Sequence, residues 1–194
     1  MPVPREAVLS PPRRLLVAAL LAAAACPAWA LAPAADGERA LERSVKAAFL
    51  YKFLMYTEFP ASAFSDLTSP LVIGVAGDDD MARDLARLVA GRAINRRPVV
   101  VRAVREQDAM DGRHLLFVSG GDASRLARLA RPSQAPMLVV TEAPNGLQHG
   151  SVINFRIVAQ RVRFDVSLDA ADKNNIKLSS RLLTVANHVH KGAP

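Results

Sequence analysis

The sequence predicts an α/β domain: a mostly parallel central sheet flanked by helices, with an antiparallel hairpin and a final helix at the C-terminal end. Three observations carry this. Four short runs, Leu71–Ala76, Arg97–Val104, His114–Ser119 and Pro136–Thr141, read with the segments between them as strand-helix-strand-strand-helix-strand. Continuous apolar strands suit a sheet covered on both faces, as crossover helices would cover it. Two later runs instead alternate, and only two residues separate them.

The first thirty residues stand apart. Arg5, Arg13 and Arg14 precede an apolar run from Leu15 to Ala25, and Ala28-Trp29-Ala30 offers a small-x-small cleavage site. This is the pattern of a secretory signal peptide over residues 1–30. The run falls well short of the roughly 20 apolar residues that a membrane-spanning helix needs. The sole cysteine, Cys26, belongs to this segment. Ala23-Ala24-Ala25-Cys26 is a poor lipoprotein signal, and Arg13-Arg14 loosely resembles a twin-arginine signal. Ordinary export is the better reading. The exported chain then has no thiol chemistry and no cysteine metal site.

Residues 31–37 read as a flexible lead and residues 38–190 as one domain. Glu38 to Phe59 form a long helix, with Leu41, Val45, Phe49 and Tyr56 near one stripe and Ala47, Leu50 and Leu54 on another. A helix apolar nearly all round is buried or lies in an interface. Pro60 ends it. Gly77-Asp78-Asp79-Asp80 joins the first strand to a helix from Met81 to Ala90 that Gly91 closes. A second strand covers Arg97–Val104, and residues 106–110 read as a helical turn. The third strand, His114–Ser119, leads through Gly120-Gly121 into a helix over Ala123–Ala130, and the fourth is Pro136–Thr141. Ser151–Val158 and Arg161–Leu168 form the hairpin, with Ala159-Gln160 between them. Leu178 to Val189 reads as the final helix.

Charge excludes little. The chain carries 25 Lys+Arg against 18 Asp+Glu, a net charge of +7 that falls to about +5 once Arg5, Arg13, Arg14 and Glu6 are removed. The basic residues are scattered and no aromatic residues interleave them, so no stacking platform for nucleic acid is expected. Candidate chemical motifs have bland readings. Gly74-Val75-Ala76-Gly77 lacks the glycine spacing of a dinucleotide site. Asp78, Asp79 and Asp80 suit the positive end of a helix dipole. Ser119-Gly120-Gly121 could present N–H groups to an anion, but it lacks P-loop spacing. No nucleophile elbow is present. His188 and His190, two apart, do not share a helical face, and no metal site is expected there. His114 reads as a hydrogen-bonded structural residue.

Four segments are more specific: Lys46–Phe53 with Thr57–Pro60; His114–Ser119; Gly150–Phe155 with Arg163–Val166; and Ile176–Ala186. In this order and spacing, over about Val45 to Ala186, they resemble the YfiR family of periplasmic proteins, also called YfiR/HmsC-like. The resemblance implies an α/β sandwich, often a homodimer, with no known catalytic activity. No cofactor and no metal are expected. It implies a periplasmic protein that binds and inhibits the periplasmic sensor domain of an inner-membrane diguanylate cyclase. That would lower cyclic di-GMP and with it exopolysaccharide and biofilm output. No direct membrane insertion or nucleic-acid contact is implied.

Two positions depart from the pattern. Arg113 stands where the family often has Cys, so disulfide-dependent control is absent. Phe59 stands where the family tends to have Trp, which keeps an apolar plug but loses the indole donor.

An inhibitor works by differential contact with one state of its partner, and needs an apolar patch. Phe49, Tyr51, Phe53, Tyr56 and Phe59 are the expected core or partner-binding anchors. Asn154, Arg163, Asp165, Ser179, Ser180 and Arg181 are polar family positions, expected to bind or to pin the hairpin to the last helix. The alternative function is a periplasmic small-ligand binding or sensing domain, with its ligand at the strand C-termini near Gly77 and Ser119.

Overall fold

A computed structural model describes residues 32–108, 112–129 and 135–192. The expected signal peptide lies outside the described residues. The chain divides into a leading unit, residues 1–38, and a main unit, residues 39–194. Of the leading unit only the start of a helix is described.

That helix, α1 (Ala32–Met55), begins earlier than the expected Glu38, so residues 32–37 are helical rather than a flexible lead. The main unit continues with β1 (Thr57–Glu58), a 3-10 turn at Ala61–Ala63, β2 (Leu71–Ala76), α2 (Asp79–Val89), β3 (Ala93–Ile94) and β4 (Arg97–Val104). Then come β5 (Leu115–Val118), α3 (Ala123–Leu129), β6 (Leu138–Thr141), a 3-10 turn at Gly146–His149, β7 (Ile153–Val158) and β8 (Arg161–Ser167). The chain closes with α4 (Leu168–Lys173), β9 (Lys177–Leu178), α5 (Ser180–Thr184) and β10 (His188–His190).

The main sheet has the order β10-β8-β7-β6-β5-β2-β4-β3. β2, β4, β5, β6 and β7 run parallel, and β8 turns back against β7. The predicted mostly parallel sheet with a C-terminal antiparallel hairpin is therefore correct. Ala159 and Gln160 both take positive φ, 48° and 57°. That is the conformation a tight two-residue hairpin demands, even where neither residue is glycine.

β2, β5 and β6 are buried throughout. On one face of the sheet, Leu50, Phe53 and Leu54 of α1 and Met81, Leu85 and Val89 of α2 pack with Ile73, Val75, Phe117, Val140, Phe155 and Phe164. On the other, Leu126 and Leu129 of α3 cover Val104, Leu116, Val118 and Val139. Phe53 is wholly buried, with its ring 4.8 Å from that of Phe164 and 5.5 Å from that of Phe155.

The last third departs from expectation in one respect. The final helix predicted over 178–189 is only the short α5; the chain then pairs in parallel with β8 as β10. Asn187 explains the break. Its backbone N–H donates to the Phe164 carbonyl at 2.8 Å, and its Nδ2 donates to Asp165 Oδ1 at 2.8 Å. Side-chain amides that bond outside the helix compete with its continuation. A second, two-stranded sheet pairs β1 with β9, and the Ser179 N–H donates to the Tyr56 carbonyl at 2.9 Å. The first and last of the four specific segments therefore meet directly.

Candidate functional site

The outward face of α1 is the main surface feature. At 3.6 residues per turn, Leu41, Ser44, Val45, Ala48, Lys52 and Met55 fall on the side opposite the buried Ala47, Leu50 and Leu54. Leu41 is 67% exposed, Val45 36% and Met55 47%. Half-buried aromatics border this stripe, Tyr51 on one side and Phe49 and Tyr56 on the other. Lys52 is the one charge within it. The helix is apolar all round because one face makes core and the other stays open.

The expected anchors are thus sorted. Phe53 belongs to the core. Phe49 half-covers the hairpin, 5.6 Å from the Phe164 ring. Tyr51 carries the Arg92 guanidinium over its ring at 5.3 Å. Tyr56 remains half-buried at the helix end. Phe59 turns away from the stripe, edge-on to His114 at 5.5 Å and to Phe64 at 6.4 Å.

A second feature lies at the C-terminal ends of the parallel strands. Lys46 of α1 reaches Glu142, just past β6, and also pairs with Glu42 one turn back along its own helix. The Lys46 side chain is only 9% exposed and that of Glu142 21%. Glu142 Oε1 accepts from Ser119 Oγ and from the Gly120 N–H, both at 2.7 Å. The N–H group that the sequence offered to an anion is therefore satisfied by the protein's own carboxylate. Burial alone would push the Glu142 carboxyl up, but the Lys46, Gly120 and Ser119 donors hold it below the usual carboxylate range. Burial likewise opposes the Lys46 charge, and the two carboxylates overcome it, so its pKa is raised.

Clefts of about 560 and 230 Å³ flank this pair. The larger is lined by Glu42, Lys46, Gly120, Gly121, Glu142, Pro144, Asn145, Phe155, Arg156 and Ile157. Sequence reasoning missed the pair because its partners lie 96 residues apart. The signal available was a lysine inside an apolar helical run.

His114 is structural, as expected. Its Nδ1 accepts from the Val72 N–H at 3.1 Å, so Nε2 carries the proton and donates to the Ala63 carbonyl at 3.1 Å. Burial, with Arg97 nearby, holds its pKa below the ordinary histidine value despite the Ala63 bond. Phe64 stacks on the imidazole at 4.7 Å, and Arg97 lies over Phe64 at 3.8 Å. These contacts fix the loop between β1 and β2. The linkage has a definite sign: a histidine kept neutral in the fold contributes fully above about pH 6.5, and that contribution erodes as pH falls toward the folded-state value. His114→Gln is therefore expected to flatten the stability loss seen between about pH 6.5 and 5. Urea midpoints across that range check it. A wild-type slope unchanged in the variant would remove His114 as the cause.

The polar family positions separate. Asp165 is 7% exposed and holds Asn187, which ties β8 to the segment after α5. Ser179 caps α5, its Oγ accepting from the Arg181 N–H at 3.3 Å. Ser180 accepts from Thr184 Oγ1 through its carbonyl. Asn154 is 2% exposed, with Oδ1 facing Gly146, where an added Cβ would lie 2.3 Å from Thr141 Cγ2. Arg163 and Arg181 are exposed. Arg113 lies across Gly74, its Cδ 2.9 Å from the place a Cβ would take, and its Nη2 is 4.0 Å from Asp108 Oδ2. Among the described residues no group of three or more His, Cys, Asp or Glu is placed to hold a metal ion. No helix among them is long and apolar enough to cross a membrane.

Fold and surface define an α/β domain whose first helix closes the core with one face and leaves an apolar stripe open on the other. The chain belongs to the YfiR/HmsC-like family, whose profile matches residues 43–187. The match spans both α1 and the β7–α5 region. No curated protein matches the chain.

Proposed function

We propose that this protein is a periplasmic, non-enzymatic regulator that binds the periplasmic domain of an inner-membrane diguanylate cyclase and restrains it. Cyclic di-GMP and biofilm output would fall as a result. The open stripe of α1 carries the reading. Leu41, Val45, Ala48 and Met55 form the contact, and Phe49, Tyr51 and Tyr56 border it. Phe53 and Phe59 act from behind by holding the helix and its end in place. An inhibitor needs such a patch, since its effect depends on contact with one state of the partner. Apolar residues at the centre of an association surface contribute most when water is excluded around them. Family membership supports a regulatory role and a periplasmic partner.

The test is capture from a membrane extract of the source bacterium, with mass spectrometry as readout. The exported chain should retain a membrane cyclase. Val45→Glu with Met55→Glu should abolish retention while stability changes by no more than about 0.5 kcal/mol, as for exposed sites. A folded bait that retains no cyclase ends the proposal. Size-exclusion chromatography of the same variants reports on a second copy as competing occupant: a wild-type dimer made monomeric by the double substitution would assign the stripe to self-association.

The cleft beside Lys46 and Glu142 favours a second reading, a small-ligand sensing domain. Ligands of open α/β sheets bind at the strand C-termini, where this cleft lies. A folded bait that captures no cyclase, but whose melting temperature rises with a periplasmic small-molecule fraction, would favour it.

A further inference from the structure

The early end of α5 changes the meaning of two histidines. In a helix, residues two apart point in different directions. In a strand they share a face, about 6.6 Å apart along the chain. His188 and His190 are the first and last residues of β10, the edge strand of the main sheet. Both are exposed. Their ring centroids are 6.4 Å apart, with the ring planes at 59°.

We propose that His188 and His190 form a two-imidazole site for a divalent transition-metal ion, of which Cu(II) and Zn(II) are the fitting members. Imidazole is a preferred ligand of both. Two imidazoles that bind one ion at about 2.0–2.1 Å place their centroids roughly 4.5–5.2 Å apart at the square-planar and tetrahedral angles. The observed separation is wider than this by roughly 1–2 Å. Small rotations of two exposed side chains, which are fast, close the remainder. The protein supplies two ligands and water completes the shell.

The backbone holds the spacing. β10 is paired with β8 along its whole length, with His188 opposite Asp165, Val189 opposite Val166 and His190 opposite Ser167. Asn187 anchors its entry through Asp165, as described above. Its exit is held by the Gly192 N–H, which donates to Asp169 Oδ1 at 3.1 Å. The two ligands are thus presented at fixed spacing, so the second imidazole binds at high effective concentration. Asp165 stands opposite His188 in the register and Asp169 accepts from Gly192, two residues past His190, so carboxylates lie at both ends of the strand.

The experiment is a Cu(II) titration of the untagged full-length protein by isothermal calorimetry, with Cu(II) electron paramagnetic resonance at one equivalent. One ion should bind per chain with a spectrum showing two nitrogen ligands. Either His188→Ala or His190→Ala should weaken binding at least tenfold and leave a one-nitrogen spectrum. His149→Ala should change neither. Zn(II) should compete for the same site and raise the melting temperature of wild type but not of the variants. Unchanged affinity in both single variants, or a wild-type spectrum with one nitrogen, would overturn the proposal. Circular dichroism of each variant separates a lost ligand from a lost fold, since both histidines are exposed and the fold should persist.

Discussion

Lys46→Met is expected to destabilise the protein by about 3–5 kcal/mol, the usual effect of removing one partner of a buried ion pair. Glu142 would be left four-fifths covered with its balancing cation gone. Ser119 and Gly120 would still donate to one carboxylate oxygen, so the loss should fall toward the lower end of that range. The double variant Lys46→Met with Glu142→Gln should recover most of it. A glutamine oxygen still accepts from Ser119 and Gly120, and a methionine fills much of the lysine stem's volume. Urea denaturation of the two variants and wild type measures this. A single variant within about 1 kcal/mol of wild type would mean that the pair is effectively solvated.

The same pair sets limits in pH. The depressed Glu142 carboxyl contributes stability that is present above about pH 4.3 and lost as pH falls through its folded-state value. The raised Lys46 ammonium contributes below about pH 10.4, and that part is lost as pH rises through its folded-state value. The Lys46→Met variant should lose the alkaline edge and show a weaker acid edge, since Ser119 and Gly120 still donate to Glu142.

Phe53→Ala should cost about 3–5 kcal/mol, as for other fully buried aromatics. The ring fills the space where α1 meets the hairpin, against Phe49, Phe155 and Phe164. Neighbouring rings are too stiff to collapse into the gap. Thermal unfolding followed by circular dichroism is the measurement. The contrast with Val45→Glu and Met55→Glu is the informative part. Those substitutions should spare the fold and remove association, whereas Phe53→Ala should weaken the fold first. Equal stability losses in both sets would show that the outer face of α1 is covered.

The centre of the sheet was legible because β2, β5 and β6 are each a short apolar run closed by turn residues. Leu71–Ala76 is the plainest case, with every residue buried. The hairpin was legible from alternation alone, although its turn residues are unusual. The expectation failed where the signal was local and the cause was distant. His188-Val189-His190 has no strand signature and follows a helical stretch; the bonds of Asn187 to β8 and of Gly192 to Asp169 hold it in place as a strand. β1, β3 and β9 are two residues each, too short for any period to show. The anchor residues were visible as a class, because α1 is apolar all round. Which of them faced inward depended on the helix's orientation, and that goes with the burial of Ala47, Leu50, Phe53 and Leu54 against the sheet.

The two borders of the main sheet have a consequence for behaviour at high concentration. One border strand, β3, is two residues long and the other, β10, is three. Short border strands are one means of blunting a sheet edge, and charged side chains are another. β3 pairs only with Arg97 and Pro98 of β4, and β10 only with Asp165 to Ser167 of β8. The exposed Arg102, Arg161 and Arg163 stand on the uncovered stretches and oppose the addition of a strand from a neighbouring molecule.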